Sequence, residues 1–195
     1  VRSDTGTSDV LYTGRWSSTT RLPFPGVGWY EEAEARAIYD GQQDFLCVVD
    51  ASERLEDDRP RQRWIIDVSG SEGFRCGFFT PAGTLYRQID YAPRRGRLWR
   101  EATVDYRYPD DSRFYARGTE SLGHTVARFE PDGSGTVLYV ESGNPVGEEV
   151  PMYDAPVSGF WLDRPEFGDW SRLSDPMYGV PTDDDVDRHI ASRLS

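Results

Sequence analysis

The residue in this chain best placed to move a proton is Asp67, a carboxylate set among apolar neighbours in the run Arg63-Trp64-Ile65-Ile66-Asp67-Val68. In a strand successive side chains alternate between faces, so Asp67 shares a face with Ile65 and opposes Trp64, Ile66 and Val68. On a face that lines a cavity, loss of solvation raises its pKa and makes it a usable proton donor or acceptor. On a face turned to water it is a solubilising residue. The remaining titratable groups are sparse. His124 follows Gly123 at the start of a strand-like run and His189 sits near the C-terminus. Neither has a nucleophile or carboxylate at a motif spacing, so surface or packing roles are expected. Cys47 and Cys76 lie in two separate strand-like runs, and they read equally as a disulfide across strands or as a reduced buried pair. Two Cys and two His without CxxC or HxxxH spacing do not make a tetrahedral zinc site.

Several chemistries drop out. There is no GxSxG elbow, no P-loop and no GxGxxG after a strand, which leaves hydrolase, NTPase and dinucleotide readings without support. All 22 basic residues are Arg, so a Lys Schiff base is impossible. No cofactor is expected. The 34 acidic residues give a net charge of -12, which repels phosphate backbones and anionic lipid surfaces and excludes nucleic acid as a partner. No run is long enough for a transmembrane segment and no signal peptide precedes the first strand, which points to the cytoplasm, or to export if a leader was removed before Val1.

The elements that must position Asp67 read as antiparallel sheet. Alternating runs such as Thr84 to Tyr91 and Thr136 to Val140 are rich in β-branched and aromatic residues and close on turn signals. At 195 residues one domain is expected: a flexible terminus over 1–9, then a single β domain over 10–195. A first strand is predicted from Leu11 to Leu22, a second over Ala35 to Tyr39, and a hairpin at Asp40-Gly41 leading into Phe45 to Val49. Four further strands are expected at Arg63 to Val68, Phe74 to Phe79, Thr84 to Tyr91 and Leu98 to Val104. Residues 154–180, with scattered Pro, Gly and aromatics, look like a covering segment over a sheet edge or mouth, a candidate lid. Pro181-Thr182 followed by three Asp predicts one C-terminal helix with Val186, Ile190 and Leu194 on one face.

Read in order, several segments resemble the LolA-like half-barrel superfamily: Arg15-Trp16-Ser17-Ser18, Tyr39-Asp40, Ser52-Glu53-Arg54, Trp64-Ile65-Ile66-Asp67-Val68, Leu138-Tyr139-Val140 with Ser142-Gly143-Asn144-Pro145, and Leu173-Ser174-Asp175. They span most of the chain. The opening tetrapeptide is most similar to the VioE-like enzymes of violacein biosynthesis, which redirect a reactive intermediate without a cofactor. Of the residues implicated there, the strand acid three positions after a Trp has its counterpart in Asp67. Thr20 and Leu22 stand where that enzyme has Tyr and Ser, and Val48-Val49 fall near its Phe-Asn pair. Gly14-Arg15-Trp16 is also a G-x-W of the kind that opens lipocalin barrels, a closed-barrel alternative.

The resemblance implies a mainly β fold: a large curved antiparallel sheet, a LolA-like half-barrel with a covering segment and a C-terminal helix. It also implies a cytoplasmic, cofactor-independent biosynthetic protein that binds a small apolar or aromatic ligand and steers its cyclisation or rearrangement. Asp67 is then the acid/base. Trp16, Ser18 and Thr20, taken as one face of the first strand, line the cavity, with Ile65, Tyr86 and Trp99 as walls. Two alternatives stand beside this reading. One is a non-catalytic carrier of a lipid or hydrophobic small molecule, exported and bridged at Cys47 and Cys76. The other is a protein-interaction module that exposes the aromatic stretch from Phe160 to Trp170. A homodimer is the one protein partner the first reading admits.

Overall fold

The computed structural model describes residues 9–42, 45–116 and 120–193. The terminus expected to be flexible lies, apart from Asp9, outside the described residues. One antiparallel sheet dominates. Its path begins at β1 (Val10–Thr13), followed by two short strands, β2 (Trp16–Ser17) and β3 (Leu22–Pro23), which pair with each other, and by β4 (Trp29–Tyr30), which returns to β1. Then come helix α1 (Glu32–Gly41), β5 (Phe45–Asp50), β6 (Trp64–Ser69), β7 (Phe74–Phe79), β8 (Leu85–Arg94), β9 (Arg97–Arg107), β10 (Gly123–Phe129), β11 (Gly135–Glu141) and β12 (Asn144–Met152). From β5 to β12 each strand pairs with the next, a meander, and β1 and β4 extend the sheet beyond β5. The large, curved antiparallel sheet expected from the strand rhythm is present. Among the described residues, no helix is long and apolar enough to cross a membrane.

Three of the expected elements differ. The strand predicted over Leu11 to Leu22 stops at Thr13, because Gly14 runs so close under Tyr30 that a Cβ there would lie 2.6 Å from its hydroxyl, and the chain turns away at that point. Residues 35–39 are helical. The alternation of Ala33, Ala35 and Ala37 imitates a strand period, but Glu, Ala and Arg are strong helix formers. Ala35 and Tyr39, four apart, face the core, while Glu32 and Arg36 pair at 3.3 Å on the outer side. Asp40-Gly41 is therefore the end of α1, closed by Gln42 in the left-handed region, and no hairpin turn forms there.

The two faces of the sheet have different fates. One presents Tyr12, Leu46, Val48, Ile66, Val68, Phe74, Cys76, Phe78, Ile89, Tyr91 and Leu98, all buried. Against it pack α1 and the segment that follows β12, which contains a 3-10 turn (Ser158–Phe160), the short strand β13 (Trp161–Leu162) and a series of turns. β13 pairs with the start of β9, where β10 no longer reaches. Leu162, Phe167, Trp170 and Leu173 enter the core, and Trp170 meets both Tyr39 and Phe167 edge-on at 5.4 and 5.6 Å. The Tyr39 hydroxyl donates to the Pro165 carbonyl at 2.5 Å. The covering segment thus forms the second layer of the core; it does not act as a lid over a mouth. Of the aromatic stretch expected as an exposed interaction surface, Phe160, Leu162 and Trp170 are buried and Trp161 is half-buried. A glycine pair closes the segment on itself: a Cβ on Gly179, whose φ is +68°, would lie 2.1 Å from the Gly159 carbonyl oxygen.

The C-terminal helix α2 (Asp183–Arg193) starts with a reciprocal cap, in which the Thr182 hydroxyl accepts from the Asp185 amide and the Asp185 carboxylate accepts from the Thr182 amide. His189 on α2 contacts Asp154 at 3.1 Å. Of the apolar face expected along α2, the side chains of Ile190 and Leu194 lie outside the described residues.

Replacing Trp170, which touches Tyr39 and Phe167 from the second layer, is expected to cost about 3–5 kcal/mol in Trp170→Ala. Denaturant unfolding of the variant beside the parent measures this, and a loss under 1 kcal/mol would show that the covering segment does not contribute to the core.

Candidate functional site

Among the described residues, no helix forms a second layer on the opposite face of the sheet. There the register aligns one residue from each of six neighbouring strands into a transverse row: Thr13, Cys47, Asp67, Arg75, Asp90 and Ala102. Next to it runs Leu11, Val49, Ile65, Gly77, Gln88 and Val104. The period of β6 puts Asp67 and Ile65 on this face, and Gly77 beside Ile65 lets Ile65 and Leu85 close to 3.3 Å from where its Cβ would stand. A groove of 450 Å³ lies over these residues.

The floor of the groove is Ile65, Asp67, Arg75, Gly77 and Gln88, and its two walls come from loops. One wall is Trp16 of β2 with Ser18 and Thr19 of the β2–β3 turn. The other is Phe114, Tyr115 and Ala116, from the connection after β9. Each is tied down. The Trp16 indole N–H donates at 2.6 Å to Oε1 of Gln62, a side chain only 1% exposed, which in turn donates to the Ser18 carbonyl at 3.3 Å. Arg59 and Arg21 reach across to the Thr20 and Ala82 carbonyls at 2.9 and 3.0 Å, holding the turn against the β7–β8 loop. On the other side the Tyr115 amide donates to the Thr84 hydroxyl at 2.9 Å, and the Tyr115 ring stacks on Tyr108 at 5.5 Å.

The polar groups on the floor are coupled. Asp67 accepts from the Cys47 thiol beside it; burial pushes its carboxyl above the ordinary Asp value, Asp90 adds to that, and the Cys47 bond and the Arg75 guanidinium draw it back only in part. Arg75 Nε donates to Asp90 at 2.8 Å, and the Gln88 amide bonds both Asp90 oxygens at 3.2 Å. The Arg75 charge is therefore compensated on the floor itself. Cys47 and Cys76 are free buried thiols. Cys47 lies on the groove face in the row of Asp67, whereas Cys76 pairs in register with Ile66 and lies in the core, so no bridge joins them. Burial pushes both thiols up, Cys47 with a further contribution from Asp67.

Of the residues expected at the site, Trp16, Ser18, Ile65 and Asp67 meet in this groove. Thr20 does not, because the chain is in a turn there and its neighbour Thr19 supplies the wall. Tyr86 points through the other face and lines a separate depression with Trp64 and Phe78. Trp99 lies beyond the bulge between Asp90 and Tyr91, packed against Phe160 and Trp161 at 5.7 and 4.8 Å. The residues not foreseen are Arg75, Gln88, Gln62, Phe114 and Tyr115. Arg75 had a signal: a β6–β7 hairpin turning at residues 70–72 sets Asp67 opposite it. Phe114 and Tyr115, in irregular chain, had none. Among the described residues no group of three or more His, Cys, Asp or Glu is arranged to hold a metal ion. No protein-family model, curated protein or solved structure matches the chain.

Because Asp67 holds its proton more tightly in the folded than in the unfolded chain, its contribution to stability is complete below the unfolded Asp value of about 3.9 and declines as pH rises through the folded value. Asp67→Asn, which keeps the shape and the acceptor for Cys47, is accordingly expected to melt higher than the parent at pH 7 and together with it near pH 4. Thermal unfolding across that range checks the sign; an Asn variant melting lower at pH 7 contradicts it.

Proposed function

We propose that this groove binds a small, flat, largely aromatic metabolite and that Asp67 moves a proton on it, steering a cyclisation or rearrangement without a cofactor. The observation that carries the reading is the placement of a desolvated carboxyl on the floor of a groove walled by Trp16, Phe114 and Tyr115. Aromatic walls hold a planar ligand by offset or edge-on contact. The floor then meets its edge with one carboxyl, one amide and one compensated guanidinium. A carboxyl poised above its ordinary value takes a proton from one atom of a bound substrate and returns it to another more readily than a fully solvated Asp does. Because a rearrangement of that kind needs no net gain or loss of atoms, orientation and one proton shuttle suffice.

Supporting groups have definite parts in this scheme. The Cys47 thiol, beside Asp67 in the same row, donates to its carboxyl. Gln62 fixes the indole plane of Trp16 and the backbone of Ser18 together, so the wall is set before any ligand arrives. Phe114, 40% exposed, stands at the rim of the groove. A floor carrying Asp67, Arg75 and Gln88 suits a hydrocarbon chain poorly, which weighs against the carrier reading.

Native mass spectrometry of the protein purified from its own host, followed by incubation of the bound compound with fresh protein, tests the proposal. An aromatic metabolite should be recovered and converted to an isomer or cyclised product. Asp67→Asn, with unchanged circular dichroism, should slow conversion by about 10²- to 10⁴-fold. Recovery of a lipid, or of a compound returned unaltered by the parent protein, would replace the enzyme reading with the carrier.

A further inference from the structure

The groove continues past Asp67. Beyond Asp67 and Arg75 the same face opens into a second hollow of 370 Å³, bordered by Phe45, Glu72, Asp90, Ala92 and Glu101 as well as by Asp67 and Arg75 themselves. The two hollows share those two residues and follow one another along the strands as one channel, with Asp67 and Arg75 as a sill between them. Their linings differ in charge. Apart from the sill, the first basin is bordered by Trp16, Ile65, Leu85, Phe114 and other uncharged residues. The second brings four carboxyls, those of Asp67, Glu72, Asp90 and Glu101, against the single guanidinium of Arg75. That guanidinium is already bonded to Asp90 at 2.8 Å. What remains uncompensated around the second basin is negative.

We propose that the channel takes an aromatic amine: a ring in the Trp16 basin joined by a short linker to an ammonium group at the sill, facing Asp67 and the carboxyls beyond it. This rests on the reading of the groove as the ligand site and names the class of molecule it takes. The spacing agrees, since Ile65 and Asp67 stand two residues apart on β6, about 6.6 Å along the strand. That is the reach of two or three carbons between a ring and a nitrogen. An anionic ligand of the same shape would carry its charge toward three uncompensated carboxyls, and a neutral one would gain nothing from them. The ammonium also stands where the proton acceptor is, so the nitrogen and the carbon next to it are the atoms within reach of Asp67.

Three probes of one shape separate the charge preference from the site itself: 2-(2-naphthyl)ethylamine, 2-(2-naphthyl)ethanol and 3-(2-naphthyl)propanoate, titrated calorimetrically against the full chain at pH 7 and low salt. The amine is expected to bind about tenfold more tightly than the alcohol, with the propanoate weakest, and Trp16→Ala should weaken all three. Asp90→Asn releases Arg75 from its partner and should reduce or reverse the order of amine and propanoate. Arg75→Gln, which removes the only cation, should widen the gap and serves if the Asp90 variant does not fold. Equal binding of the three probes, or a preference for the propanoate, with loss in Trp16→Ala, would overturn the amine assignment and leave the groove as the ligand site. Binding of none, or binding indifferent to Trp16, would overturn both.

Discussion

Everything in this fold depends on the sealing of one face of the sheet. Strand residues alternate between two sides, and the sequence supplies apolar groups to both: Ile66 and Val68 to one, Ile65 and Val49 to the other. Only the first side receives α1 and the covering segment, through the edge-on contacts of Tyr39, Phe167 and Trp170. Because that aromatic knot closes the core on its own, the second side needs no layer of its own. It is free to carry a polar row and a hollow, which would be costly inside a two-sided core.

The polar row shows how register becomes chemistry. Asp67, Arg75 and Asp90 lie on three successive strands, and no motif links them. Hairpin pairing alone brings them side by side, each one strand from the next. The same geometry explains their mutual effects. Asp90 takes up the charge of Arg75, so Arg75 gives Asp67 too little help to offset its burial, and the carboxyl stays above its ordinary value. Cys47, on the opposite flank, gives a weak donor where a stronger one would have tied Asp67 down as a permanent anion.

Much of the sheet was legible because its strands are bounded by strong turn signals. β7 falls at the predicted residues, and β11 within one residue, since Gly-rich turns flank them. Asp67 and Ile65 were assigned a common face by period alone, and they share it. The failures have local causes. Alternating Ala hid α1, whose residues prefer helix on propensity. The contact of Gly14 with Tyr30 is a tertiary fact invisible along the chain, and the break it marks moved Thr20 out of the groove wall. The bulge at Glu101, opposite the step from Asp90 to Tyr91, changes the parity of β9, so Trp99 could not be placed by counting. Phe114 and Tyr115 are held through Thr84, a partner thirty residues away, and irregular chain gives no period to read.

The hydrogen bond from Tyr39 to the Pro165 carbonyl spans 126 positions of sequence. During synthesis strands β5 to β9 emerge from the ribosome well before residues 162–173, while their apolar face already presents Phe74, Phe78, Ile89 and Tyr91. Hairpins form in microseconds, whereas translation adds only about 5–20 residues per second. The growing chain therefore spends seconds as a sheet covered on that face by α1 alone, with part of its aromatic surface bare, a natural client for a holding chaperone until the covering segment arrives.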